Sequence, residues 1–313
     1  MMYNEFYGLT EKPFSILPDP DYIYWGKNHS LAFSMLEYGI LNQAGFTVIT
    51  GEVGCGKTTL IRHLLNNMSN DLNVGLISNV QDDRGDLLQW VLLAFDQPFE
   101  EVSSVKLFDQ FQKYLIAEYG RGRKTVLIVD EAQNLGLKTL EQLRMLSNIN
   151  ADKHQLLQLI LVGQPQLKDL LQRPELVQFS QRISSDFYLK PLNLEEVEAY
   201  ITHRLKTAGC EDKIFDDEAS TYIYMASRGI PRLINIICDT ALIYGFSDEN
   251  KTISKELIEK VIADKGRHGI LHYSEVNESK ANQLYEIPES SDGPALIIHD
   301  QNLAKYLLKK AKE

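Results

Sequence analysis

Residues 51–58 read GEVGCGKT, which places glycines, a lysine and a threonine at the spacing G-x-x-x-x-G-K-[ST]. That spacing suits a phosphate chain. Glycines let successive backbone N–H groups curl around phosphate oxygens, and a helix starting there adds its positive dipole end. On this reading Gly51, Glu52, Val53, Gly54, Cys55, Gly56, Lys57, Thr58 and Thr59 form the cradle for ATP. Lys57 reaches the β- and γ-phosphates, and the Thr58 hydroxyl ligates Mg2+. A glycine-rich turn without a ligand is the bland alternative, and a second carboxylate-bearing segment argues against it.

That segment is LIVDEAQ, an apolar run ending in Asp130 and Glu131. Asp130, at the carboxyl end of a strand, can hold Mg2+ through water, while Glu131 can orient or deprotonate an attacking water. An adjacent glutamate favours hydrolysis over binding alone. Gln164 ends the run LILVG and is either a polar side chain between Asp130 and the γ-phosphate or a surface glutamine. Arg182, in FSQRIS, either faces a neighbouring subunit's nucleotide or makes a surface ion pair. The three cysteines, Cys55, Cys210 and Cys238, lack metal-ligand spacing, and Cys55 occupies a free x position of the loop.

The elements around these residues have the order such a site requires. FTVIT reads as a strand leading into the glycine loop, and TTLIRHLLNNM as the helix leaving it. NVGLISN, TVLIVDE, LLQLILVGQ and SDFYLKPL read as further strands, with helices through LLQWVLLAF, SSVKLFDQFQKYLIAEY and KTLEQLRMLSNI between them. Strands alternating with helices predict a parallel sheet covered on both faces, with the acidic pair one strand away from the loop. From Asn193 to about Lys265 the pattern is helical throughout. Upstream, FYGLTEKPFSILPDPDYIYW is aromatic, proline-rich and extended, and a helix is expected from about Ser30 to Gln43.

Composition sets the outer limits. With 313 residues, 44% hydrophobic and 24% charged, the chain reads as an ordinary globular protein of one large or two modest domains. It shows no membrane-length apolar run and no signal-peptide pattern. A formal net charge of −11 argues against broad nucleic-acid binding.

The ordered set GEVGCGKT, LIVDEAQ, LVGQPQL, QRI, then GIPRLIN, resembles an AAA+ ATPase. More narrowly it is similar to the ATPase module of the general secretion pathway protein A (ExeA-type) family, over about Tyr3 to Val261. GEVGCGKTTL and EQLRMLSN lean toward the branch associated with exopolysaccharide and exosortase systems.

The resemblance implies an α/β fold: a P-loop core with a parallel sheet sandwiched by helices, then a small all-α lid. The expected divisions are 1–45, an N-terminal extension packing on the ATPase core; 46–191, the core; 192–265, the lid; and 266–313, a polar linker and short amphipathic tail. It also implies that Arg232 of GIPR is a second sensor reaching the nucleotide phosphates from the lid.

The function implied is a Mg2+-dependent, cytoplasmic ATPase, a homo-oligomer such as a hexamer or dimer. It would serve a cell-envelope export or secretion system, peripheral at the inner membrane, with any direct membrane contact through the tail. Two rivals stand beside it: a DNA-associated ATPase of the transposition-helper (TniB-like) kind, and a nucleotide-dependent scaffold with little turnover.

Overall fold

The computed structural model describes residues 3–42, 45–67, 71–78, 86–99, 103–151 and 154–268. Along the chain these form a helical turn α1 (Asn4–Tyr7), then α2 (Lys27–Leu41), β1 (Phe46–Gly51), α3 (Lys57–Asn66) and β2 (Leu72–Ser78). Next come α4 (Leu87–Ala94), α5 (Ser104–Gly120), β3 (Lys124–Asp130) and α6 (Leu137–Leu146). A two-residue hairpin, β4 (Asn150–Ala151) and β5 (His154–Gln155), leads to β6 (Leu157–Gly163), α7 (Gln166–Leu171), the turn α8 (Val177–Ser180) and β7 (Ile183–Leu189). Four helices follow: α9 (Leu194–Thr207), α10 (Asp217–Ser227), α11 (Pro231–Ser247) and α12 (Lys255–His268). Among the described residues no helix is long and apolar enough to cross a membrane.

The described residues divide into two compact units, one within 27–190 and the other made of those up to Gly26 together with those from Pro191 to His268. In the first, five parallel strands run in the order β2-β3-β6-β1-β7. The strands β1, β3 and β6 are buried almost throughout, which is why they read as continuous apolar runs rather than alternating ones. On one face Phe46, Val48, Leu127, Val129, Leu159 and Leu161 pack with Val91 and Leu92 of α4, Phe111 and Leu115 of α5, and Leu140 and Leu143 of α6. The order matters for chemistry: β6 lies between β1 and β3, so the carboxyl ends of those three strands stand side by side. Crevices at such ends are where open α/β sheets bind ligands.

The second unit is built from α9 to α12 and includes the N-terminal segment. The sequence placed residues 1–45 as one extension on the ATPase core; the structure divides that stretch at Gly26. Residues 1–26 group with the helices, whereas α2 belongs to the sheet unit. The physical reason is the aromatic content of the segment. Tyr3, Tyr7, Phe14 and Tyr22 are buried in the same core as Phe215, Ile223, Ile237 and Leu242.

Polar contacts fix this segment. The Tyr3 hydroxyl donates to Asp239 Oδ1 at 2.6 Å and Lys12 Nζ to Asp239 Oδ2 at 2.7 Å. Arg204 Nε donates to the Pro13 carbonyl, and Asn235 Nδ2 to the Ser15 carbonyl at 2.9 Å. The guanidinium of Arg204 also lies over the Tyr22 ring, 4.6 Å from its centroid. Of the expected linker, residues 266–268 close α12; the tail, residues 269–313, lies outside the described residues.

Candidate active site

β1 ends at Gly51, where a side chain has no room: a Cβ there would meet the Leu189 carbonyl oxygen at 2.7 Å. The loop then turns through Gly54 and Gly56, both at positive φ, 86° and 95°. That region is natural for glycine and strained for other residues. Gly56 is the N-cap of α3 and, having no side chain, places no capping acceptor on the first N–H groups of that helix. Val53 is exposed and Cys55 fully buried.

Lys57 is only 6% exposed and donates to the carbonyls of Gly51 (2.7 Å) and Glu52 (3.0 Å). Burial lowers its pKa from the usual lysine value, and Cys55, Glu131, Asp130 and Glu52 nearby oppose that shift. From α3, Thr58 Oγ1 donates to Asp130 Oδ2 at 3.0 Å, joining the glycine loop to the end of β3. Burial raises the Asp130 pKa, against hydrogen bonds from the Glu131 amide and the Thr58 hydroxyl. The site thus buries an ammonium and a carboxylate, each disfavoured there by loss of water.

This donor set fits a nucleotide with a divalent cation. The amides at the start of α3 and the Lys57 ammonium are donors of the kind that hold phosphate, while Thr58 and Asp130 offer two hard oxygens 3.0 Å apart. Among the described residues no cluster of three or more His, Cys, Asp or Glu could hold a metal alone. Most of a magnesium ion's ligands would accordingly come from phosphate and water.

Glu131 follows Asp130 in left-handed backbone, φ 56°, unusual for a residue other than glycine. Its Oε2 accepts from Gln164 Nε2 at 3.1 Å and from Gln133 Nε2 at 2.5 Å. Gln164, half-buried at the end of β6, reaches Glu131 with its side chain. Arg182 has a different position. It precedes the amino end of β7, whereas the glycine loop follows the carboxyl end of the parallel β1, with Phe46 opposite Ile183 and Gly51 opposite Leu189. Its Nη1 donates to Ser147 Oγ at 3.0 Å. Arg182 therefore does not join this chain's own loop. Arg232 is exposed in the first turn of α11, in the helical unit.

Three residues near the loop were not singled out from the sequence. His29 Nε2 sits 3.0 Å from the Cys55 carbonyl; an oxygen there can only accept, so that nitrogen carries the proton. The Tyr188 hydroxyl donates to Glu52 Oε1 at 3.3 Å. Gln133 bonds Glu131. Only Gln133 had a local signal, its place inside LIVDEAQ.

Comparison with known proteins bears on family and fold. Residues 40–171 match the AAA domain family. General secretion pathway protein A of Aeromonas hydrophila is 43% identical over 247 residues, which is 79% of this chain and 45% of that protein. The chain thus spans less than half the length of that relative. Among solved structures, Cdc6p of Pyrobaculum aerophilum superposes with a TM-score of 0.62 at 17% identity, over 87% of this chain and 75% of that one. ORC1 of Aeropyrum pernix, solved in complex with DNA, gives 0.57 at 16% identity, over 89% and 73%. At such identities these two structures speak to fold alone. The chain belongs to the AAA+ P-loop NTPases and, within them, is a relative of general secretion pathway protein A.

Proposed function

We propose that this protein binds ATP with Mg2+ at the loop 51–59, hydrolyses it, and as a homo-oligomer powers or regulates assembly of a bacterial cell-envelope secretion or exopolysaccharide export system. The observation that carries the ATPase reading is the Thr58–Asp130 hydrogen bond at 3.0 Å. It brings the two proposed Mg2+ ligands together from separate elements. The secretion context rests on the relative's name and its 43% identity.

In this reading bound Mg2+ neutralises charge on the transferred phosphate. Lys57 holds the terminal phosphates, and the loop amides fix the chain of oxygens. Glu131 orients the attacking water and takes its proton. Gln164 contributes from the end of β6. Arg232 senses the phosphates from the helical unit. Arg182 acts on a neighbouring copy's nucleotide, a role compatible with its distance along the sheet from its own loop. The net charge of −11 speaks against the DNA-associated alternative.

The test is steady-state ATP hydrolysis against protein concentration for wild type, Glu131→Gln and Arg182→Ala. The reading requires specific activity that rises with concentration, and loss of turnover in both variants with ATP still bound. Normal turnover by Arg182→Ala, independent of concentration, would remove the shared-site element.

A further inference from the structure

We infer that Gln133 is a positioning residue for hydrolysis: its amide ties the Glu131 carboxylate to the end of β6 and so fixes where the water-activating oxygens stand. The inference rests on the ATPase reading above and adds to it a residue with two simultaneous partners. Gln133 Nε2 donates to Glu131 Oε2 at 2.5 Å, while Gln133 Oε1 accepts from the backbone N–H of Gln164 at 2.9 Å. The side chain of Gln164 returns to the same Glu131 oxygen at 3.1 Å. Three residues from two strand ends form one closed set of bonds.

Two further observations show that the set is built into the fold. Gly163, the last residue of β6, leaves room for it: a Cβ there would lie 2.8 Å from Gln133 Oε1 and 2.9 Å from Leu167 Cδ2. Glu131 holds a left-handed conformation, which costs about 1 kcal/mol outside glycine and persists only where surroundings enforce it. The Gln133 and Gln164 bonds are such an enforcement. With both lone pairs of Oε2 taken by amides, Oε1 is the oxygen left to meet water. A shift of about 1 Å in that oxygen is enough to lower turnover about a hundredfold.

The test compares Gln133→Ala and Gln133→Glu with the wild-type chain, measuring kcat and KM for Mg-ATP, binding of ADP, and thermal unfolding. Gln133→Ala is expected to lose at least about tenfold in kcat, with KM and ADP affinity within about twofold. Gln133→Glu keeps the length of the side chain but replaces the amide donor with an oxygen, and is expected to show the same split between kcat and KM. A merely structural role would move ADP affinity and melting temperature together with kcat. Wild-type kcat in Gln133→Ala overturns the inference alone, as does loss of ADP binding or a large fall in melting temperature. Absence of hydrolysis by the wild-type protein overturns the ATPase reading, and the positioning role with it.

Discussion

The backbone N–H of Leu192 donates to the carbonyl of Gly229 at 2.9 Å, and a Cβ on Gly229 would lie 1.8 Å from the Leu192 carbonyl oxygen. Backbone meets backbone, so no rotamer relieves the clash, and φ of +73° adds strain for any side chain. The glycine joins the chain just beyond β7 to the turn that starts α11. Pro231 then begins the helix, and Arg232 stands in its first turn. Gly229→Ala is expected to destabilise the helical unit by more than about 3 kcal/mol, read from urea unfolding followed by helical circular dichroism. Stability within about 0.5 kcal/mol of wild type would show that the turn can move and that Arg232 is not anchored this way.

What the sequence disclosed, and what it did not, follows from how local each signal is. Residues 51–58 and LIVDEAQ were legible because phosphate and magnesium chemistry dictate residue types within one loop or strand end. Buried parallel strands were legible as apolar runs for the same local reason. The N-terminal segment was not. It has no helical or strand period, and its partners lie far ahead in the chain, 191 residues from Pro13 to Arg204 and 236 from Tyr3 to Asp239. His29 escaped notice because a lone histidine in an amphipathic helix gives no sign that it meets a loop 26 residues later. The β4–β5 hairpin is too short to show a pattern.

Lys57 carries a prediction about stability as well as binding. Its ammonium is buried and its pKa lowered, so at neutral pH the charge is a burden on the ligand-free fold. The sign follows from linkage. A lysine whose folded pKa lies below its unfolded value lowers stability at every pH beneath the folded pKa, and that penalty fades as pH rises toward the unfolded value. Lys57→Met, similar in length and uncharged, should leave ligand-free stability within about 1 kcal/mol of wild type or above it, while Mg-ATP no longer raises the melting temperature. Differential scanning fluorimetry with and without nucleotide checks both halves. A ligand-free variant several kcal/mol weaker would mean that the bonds from Lys57 to the Gly51 and Glu52 carbonyls outweigh the buried charge.

Cys55 sits inside the phosphate loop, yet its thiol is fully buried, and burial pushes its pKa up to about 11. Thiolate is the reactive form, so alkylation in the folded state should be very slow at pH near 8. Peptide mass spectrometry after iodoacetamide should find Cys55 modified only on the timescale of unfolding. Rapid labelling of Cys55 in the native protein would show a loop that opens readily.

Phe14 tests the reassignment of the N-terminal segment. It is 1% exposed and meets the Phe215 ring edge-on at 5.9 Å between centroids, inside the core formed with α9 to α12. Truncation to alanine removes a buried ring at a cost of about 3–5 kcal/mol. Because the ring packs among helical residues, the loss should appear in their hydrogen exchange. Backbone amides of α9, α10 and α11 are expected to exchange faster in Phe14→Ala, while those of β1, β3 and β6 keep their wild-type protection. Equal loss in both sets would mean that the two units unfold as one cooperative body. Loss confined to the strands would return the segment to the sheet unit, and with it the partition of the chain at Gly26 would fail.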